Sequence, residues 1–283
     1  MNSGLIIDEN IEKALCEEGV VKTPFLLPEE LKAIQNFYRN LHGDNDPPAM
    51  FDGIHMTIWC NDIDYKLRIK NELNHLLTSA YNRIFKSYRA ISHQFIVKRK
   101  GHDTTFPIHQ DWSIVDEAKF VSFNMWVPLQ DVDQNNGAMG IIKKSHHINR
   151  KIRGAGYLFP NYISILPELR PYMTNYAMKA GEALLFYHNT IHGSPANTGN
   201  GTRAVLQSSI IPVAAPLHIY FQKDELSGLE VHHPSDDFTY YYKNLREDSV
   251  MRPPTTTASE VFSPLVNTPV TLTEVMEAIQ ATR

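Results

Sequence analysis

Cysteine is scarce in this chain of 283 residues. There are two, Cys16 and Cys60, and neither has a companion at metal-binding spacing. Two thiols cannot build a disulfide framework, and such usage fits a reducing compartment. No apolar run approaches the ~20 residues that a membrane span needs. Residues Met1 to Glu9 carry neither a basic stretch nor an apolar stretch of the secretory kind, so the expected location is cytoplasmic. An excess of positive charge is missing as well: 27 Lys and Arg stand against 31 Asp and Glu, a formal net charge of -4. That balance leaves no electrostatic footprint for nucleic acid or an anionic membrane, and the expected partner is a small molecule. Internal repeats and low-complexity linkers are also lacking. The 42% of hydrophobic residues is enough to fill one substantial core. None of these features encodes an oligomeric state.

What is present changes character near residue 90. Before it the pattern is mainly helical. Pro28-Glu29-Glu30 reads as a helix first turn, with Leu31, Ile34, Phe37 and Leu41 following at helical spacing. Gly43 to Pro48 is a turn-rich break. A second helix is expected from about Asp64 to Phe85, and both helices should pack on a sheet. After it the period shortens. Gln94 to Val97, Val121 to Leu129, Glu182 to Tyr187 and Arg203 to Pro212 read as strands, and Asn135-Asn136-Gly137 is a turn ahead of the apolar Ala138 to Ile142. Gly and Pro punctuation between these runs predicts an antiparallel all-β core. Residues 217–262 show no clear period. Thr271 and Glu274 form a capping box that predicts a last short helix. The expected organisation is one domain over residues 1–283. Residues 1–90 form a mainly helical flank, 91–215 the β core, and 216–283 a C-terminal appendage.

The chemistry concentrates at His109-Gln110-Asp111. Residues two apart on an extended segment share a face, so this imidazole and carboxylate can meet one metal ion. His192, from far along the chain, completes a facial set of three, the geometry of non-haem Fe(II) oxygenases. His42-Gly43-Asp44 has the same pattern, but it lies in a Gly/Asp/Pro-rich break with no strand to hold it. Gly193 and the segment from Asn197 to Thr202 are read as a turn. The turn would bring Arg203 on the next strand back to the same cavity, where its fork suits a carboxylate and Ser194 could add a hydrogen bond.

Taken with Asn124-Met-Trp-Val-Pro-Leu129, Asn136-Gly-Ala138, Lys144-Ser-His146 and Ala180-Gly-Glu182, these motifs resemble the phytanoyl-CoA dioxygenase family across roughly residues 20–215. The resemblance implies a double-stranded β-helix (jelly roll, cupin-like) core with flanking N-terminal helices. It also implies an Fe(II)- and 2-oxoglutarate-dependent dioxygenase that uses O2. His109, Asp111 and His192 would hold the iron. Arg203, with Ser194, would bind the far carboxylate of 2-oxoglutarate, and Trp126 would line that pocket. A polar residue on the strand before His109 is also implied; Gln94 and Lys98 both qualify. Family halogenases lack the carboxylate ligand, so Asp111 points to hydroxylation or another oxidative step on an unactivated C–H bond.

Each assignment has a plainer alternative. Trp126 is equally a core residue, and Ser194 a turn residue. Gln110 and Trp112 could face the substrate or do nothing. His146-His147 reads as a solvated loop, and His232-His233 calls for the same restraint. Arg150, Lys151 and Arg153 could meet an anion or simply be solvated. A metal-dependent cupin-type isomerase would keep the His/Asp ligands without needing Arg203, and a non-catalytic binding protein would need neither.

Overall fold

The computed structural model describes residues 4–43, 46–50, 52–148, 151–154, 156–159, 162–241 and 258–280. Helix α1 (Glu9–Glu18) starts where the Asp8 carboxylate accepts from the Asn10 backbone N–H at 2.8 Å. It ends at Gly19, whose φ of 76° only glycine adopts without strain. A Cβ at Gly19 would collide with the His146 ring. The chain turns there into β1 (Val20–Pro24) and then α2 (Pro28–His42). Strand β2 (Ile54–Met56) and α3 (Ile63–Ile84) follow, and then the long β3 (Tyr88–Lys98). The expected helices are therefore present, but the flank also donates β1 and β2 to the sheet. Both are too short and too isolated to show a strand period.

The core strands are β4 (Phe106–His109), β5 (Phe123–Pro128), β6 (Gly140–Ile141), β7 (Thr174–Asn175), β8 (Glu182–Tyr187), β9 (His192–Ser194) and β10 (Arg203–Pro212). A short helix, α4 (Leu166–Leu169), lies between β6 and β7. The tail adds β11 (Ile219–Phe221), β12 (Leu229–His232), α5 (Phe238–Tyr241), β13 (Glu260–Phe262) and α6 (Leu272–Gln280).

One sheet runs β1-β8-β5-β10-β3-β2, a second β4-β9-β6-β7 and a third β11-β12-β13. Every pair of named strands is antiparallel. Side chains alternate across the large sheet. Phe95, Val97, Phe123, Met125, Leu185 and Leu206 face the helices, where Ile69, Leu73 and Leu77 of α3 meet them. Trp126, Leu184, Phe186 and Val205 point the other way, toward Ile141 of the second sheet and Ala138 just before it. Helix α6 covers that second sheet from outside through Val275 and Ala278, packed with Ile142 and Ile191. Its capping box is formed as expected: the Thr271 N–H donates to Glu274 Oε2 at 2.8 Å and the Glu274 N–H to Thr271 Oγ1 at 3.2 Å. The third sheet occupies the stretch with no readable period. No helix among the described residues is long and apolar enough to cross a membrane.

Candidate metal centre

Strands β4 and β9 pair so that His109 stands opposite His192. Gly193 makes this possible. It is part of β9 rather than a turn, and a Cβ there would stand 3.1 Å from Phe106 O and 3.2 Å from Ile108 Cα. Asp111 is drawn back to the pair by its N–H, which donates to His188 O at 2.9 Å, and by Arg153 Nε, which donates to Asp111 O at 2.7 Å. Asp111 Oδ1 then lies 3.6 Å from His109 Nε2, and Oδ2 lies 3.5 Å from His192 Nε2. Among the described residues this is the one cluster of His, Cys, Asp or Glu that could hold a metal ion, with its donor atoms within 4.8 Å of one another.

The donors fit an ion. His109 Nδ1 lies 2.8 Å from Pro107 O and His192 Nδ1 2.9 Å from Thr190 O. A carbonyl only accepts, so in both rings Nδ1 carries the proton and Nε2 presents its lone pair beside Asp111. Outer-shell carbonyls of this kind orient metal-binding imidazoles. Burial holds His192 down to about 4, helped by the neighbouring His109 ring. Burial alone would raise the Asp111 carboxyl, but the His192 and His109 rings outweigh it and hold the group below the usual carboxylate range. Neutral imidazole and ionised carboxylate are the ligand states a metal requires.

A line of amides supports the carboxylate. Gln94 Nε2 donates to Gln207 Oε1, Gln207 Nε2 to Asn124 Oδ1, and Asn124 Nδ2 to Asp111 Oδ2. All three amides lie on strands of the large sheet and face its interior side. Each donates toward the charge, so the dipoles add along the line.

A second polar pocket lies where β3 meets β10. Lys98 and Arg203 are register partners, 1% and 2% exposed. Lys98 Nζ donates to Ser194 Oγ at 2.6 Å, Pro195 O at 2.7 Å and Ser194 O at 3.2 Å. Arg203 stacks over the Trp126 ring at 5.5 Å, while its Nε and Nη1 are buried without a partner. Burial pushes Arg203 down to about 9, which still leaves it charged at neutral pH. Gly137, at φ 83°, closes the pocket floor. A Cβ there would stand 3.0 Å from Pro195 O and 3.3 Å from Lys98 Cδ. Two buried basic groups with no carboxylate between them cannot both stay charged cheaply unless an anion joins them.

The model of the phytanoyl-CoA dioxygenase (PhyH) family matches residues 15–205. This chain belongs to the PhyH family. No curated protein sequence matches it. Among solved structures, it is similar to the α-ketoglutarate-dependent epimerase SnoN, bound to Fe3+, α-ketoglutarate and nogalamycin RO. That likeness has a TM-score of 0.55 at 16% identity, covering 91% of this chain and 95% of that one. The non-haem carbocyclase SnoK from nogalamycin biosynthesis gives 0.53 at 16% identity, with 75% and 86% covered. HygX of Streptomyces hygroscopicus, with nickel and 2-oxoglutarate, gives 0.52 at 14% identity, with 74% and 88% covered. The shared fold is the PhyH jelly roll.

In this PhyH chain the structure separates the residues named from sequence. His109, Asp111 and His192 converge. Arg203, Lys98, Ser194 and Trp126 form the second pocket, and Gln94 belongs instead to the amide line. Gln110 turns away from the centre. Its Nε2 donates to Asn189 O at 2.6 Å and its Oε1 accepts from the Tyr162 hydroxyl at 2.5 Å.

Several expectations are corrected. Arg153 is 2% exposed and forked onto Glu117 at 2.5 and 3.0 Å, so it is a strut and not an anion receptor. Lys151 pairs with Glu274 at 3.2 Å. Arg150 and Asp44 lie outside the described residues, and His42 Nε2 meets Tyr65 OH at 2.8 Å. His146 is buried rather than solvated, stacked on Tyr187 with Nε2 at 3.0 Å from Cys16 O. His232 is buried on β12 beside Glu230 at 2.9 Å. Asn124 and Gln207 were missed. The period-two alternation that put Trp126 and Arg203 on the inner face also put Asn124 and Gln207 there.

Proposed function

We propose that this chain is an Fe(II)- and 2-oxoglutarate-dependent dioxygenase that oxidises an unactivated C–H bond of a small-molecule metabolite in specialised metabolism. The observation that carries this reading is the coexistence of two features in the jelly roll, on strands that follow one another in sequence. One is the His109, Asp111, His192 donor set; the other is the buried, partnerless Arg203 fork beside Lys98. A metal-dependent isomerase has no use for the second. HygX and SnoN, with 2-oxoglutarate or α-ketoglutarate in their structures, support the cosubstrate.

The chemistry supplied by bound iron and cosubstrate is the coupled oxidation of a substrate C–H bond and decarboxylation of 2-oxoglutarate by O2, giving succinate and CO2. His109, Asp111 and His192 would hold the metal and leave neighbouring positions open. Arg203 would take the far carboxylate of 2-oxoglutarate through Nε and Nη1, with Trp126 fixing the guanidinium plane. Lys98 and Ser194 would close on the same carboxylate. The amide line from Gln94 keeps Asp111 from swinging out of the set. Hydroxylation is the simplest outcome for such a site.

The test is 2-oxoglutarate binding under anaerobic conditions with Fe(II), read by the weak visible charge-transfer band. The band is expected in the wild type and absent in His192→Ala and Arg203→Ala. A folded, iron-loaded wild type without the band would return the protein to the isomerase or binding-protein class.

A further inference from the structure

Strand β4 ends at His109, so the sheet ladder stops two residues before Asp111. The backbone of Asp111 is held by other means. Its N–H donates to His188 O, and its C=O accepts from Arg153 Nε at 2.7 Å. Arg153 comes from far along the chain, between β6 and β7. Its segment is tied in both directions to the residues that follow Asp111. The Ser113 N–H donates to Arg153 O at 3.0 Å, and the Arg153 N–H donates to Ser113 Oγ at 3.1 Å.

The guanidinium is aimed as well as buried. Nη2 donates to Glu117 Oε1 at 2.5 Å, and Nη1 donates to Glu117 Oε2 at 3.0 Å and to Lys151 O at 2.9 Å. Together with Nε on Asp111 O, these contacts leave the group little freedom to turn. The Arg153 side chain is 3% exposed and that of Glu117 12%. A buried pair of this kind adds little net stability, because desolvating both charges offsets their attraction. What a bidentate fork adds is direction. With both Nη atoms fixed on Glu117, Nε is pointed at Asp111 O. The bridge from Lys151 to Glu274 of α6 is of another kind, since both of its side chains are 30% exposed and such pairs are weak. The brace on Asp111 is therefore Arg153 with Glu117, and the tail is not part of it.

We propose that Arg153, anchored by Glu117, is a positioning residue for the metal centre. It fixes the backbone at Asp111 and so the direction in which the carboxylate meets an ion between His109 and His192. Asn124 holds the same residue by its carboxylate, so Asp111 is steadied at both ends. The inference rests on the reading of His109, Asp111 and His192 as metal ligands.

The experiment is titration of Co(II) into the metal-free protein without oxygen, read by the visible d–d bands, which report the geometry of the ligands. Arg153→Met combined with Glu117→Gln removes both charges and leaves neither buried alone. Its Co(II) affinity should fall by about 10–100-fold, the effect of losing an outer-shell partner. Its bands at saturation should also differ from those of the wild type. Arg153→Lys keeps the charge against Glu117 without the fork, and it should weaken Co(II) by less and shift the bands as well. Glu274→Gln keeps the cap of α6 and loses only the charge opposite Lys151, so it should match the wild type within about twofold. A role in stability alone would lower the thermal transition of the Arg153 variants and leave the affinity and bands of the folded protein unchanged. Wild-type affinity and bands in either Arg153 variant would overturn the proposal, as would a loss in Glu274→Gln as large as theirs. A wild type that takes up no Co(II), or that keeps its affinity in His192→Ala, would overturn the metal-centre reading and the proposal with it.

Discussion

Lys98 and Arg203 lie together in the interior without a countercharge, which makes Lys98 the most informative side chain to remove. Burial, and then the charge of Arg203, push its ammonium down to about 6. A free lysine titrates near ~10.4. Between those values the unfolded chain binds a proton at this position that the folded chain does not. Stability rises with pH wherever the unfolded state holds more protons. The folded protein therefore weakens as pH falls toward 6, where the penalty becomes complete. One whole proton corresponds to ~1.4 kcal/mol per pH unit, or roughly 3 kcal/mol between pH 7 and 9. Lys98→Met deletes the proton and keeps the stem. It also takes donors from Ser194 and from Pro195 O, which lowers stability by ~1–3 kcal/mol at every pH and leaves the slope untouched. Urea unfolding of the cosubstrate-free protein at pH 7, 8 and 9 measures the difference between wild type and variant. That difference should change by roughly 3 kcal/mol across the range. Parallel curves would refute the reasoning, because Lys98 would then carry the same charge folded and unfolded. With 2-oxoglutarate present the wild type should take up a proton on binding and bind more tightly at pH 7 than at pH 9, a dependence that Lys98→Met should lose.

Asn124→Ala removes the side chain that donates to Asp111 Oδ2 and breaks the amide line. Loss of such an outer-shell partner should weaken Fe(II) binding by about 10–100-fold; titration of iron into the metal-free protein checks it, and an unchanged affinity would reduce the line to core packing. Gly137→Ala combines a φ of 83° with a Cβ 3.0 Å from Pro195 O and 3.3 Å from Lys98 Cδ. It should cost ~1–3 kcal/mol of stability and weaken 2-oxoglutarate binding, both read from ligand-dependent thermal shifts. An equally stable, equally shifted variant would mean that the pocket floor lies elsewhere.

The parts of this protein legible in its sequence are those whose signal is local. Glu182–Tyr187 and Arg203–Pro212 are apolar-rich runs set off by Gly and Pro, and both appear as strands with those bounds. The Thr271 capping box announces α6 because the two side chains involved are three residues apart. The His109, Asp111 and His192 donor set was legible because residues two apart on an extended segment share a face, while Arg203 follows His192 after one short turn. The unread parts depend on distant partners. β1 is a strand because β8 offers it an edge, not because Val20–Pro24 alternates strongly. Strands β11, β12 and β13 are three or four residues each, too short for any period to show. Choosing between Gln94 and Lys98 needed the register with β10: four positions along one strand separate an amide facing Gln207 from an ammonium facing Arg203.

The same register explains how the site keeps two opposed charge problems apart. Asp111 is an anion awaiting a cation, and Arg203 is a cation that, with Lys98 held neutral beside it, awaits an anion. Placed in contact they would neutralise one another, and the site would have little drive to bind metal or cosubstrate. Instead Asp111 is engaged by Asn124, and the line of neutral amides through Gln207 to Gln94 fills the inner face on the way to Lys98 and Arg203. Neutral amides can satisfy a carboxylate lone pair without cancelling its charge. A lysine or arginine in place of Gln207 would satisfy it more strongly and take the position that the metal needs. The expected result of Gln207→Lys is therefore a folded protein with weakened iron binding, read in the same titration as Asn124→Ala. Retained iron affinity in Gln207→Lys would show that the separation of the two charges is not what keeps Asp111 available.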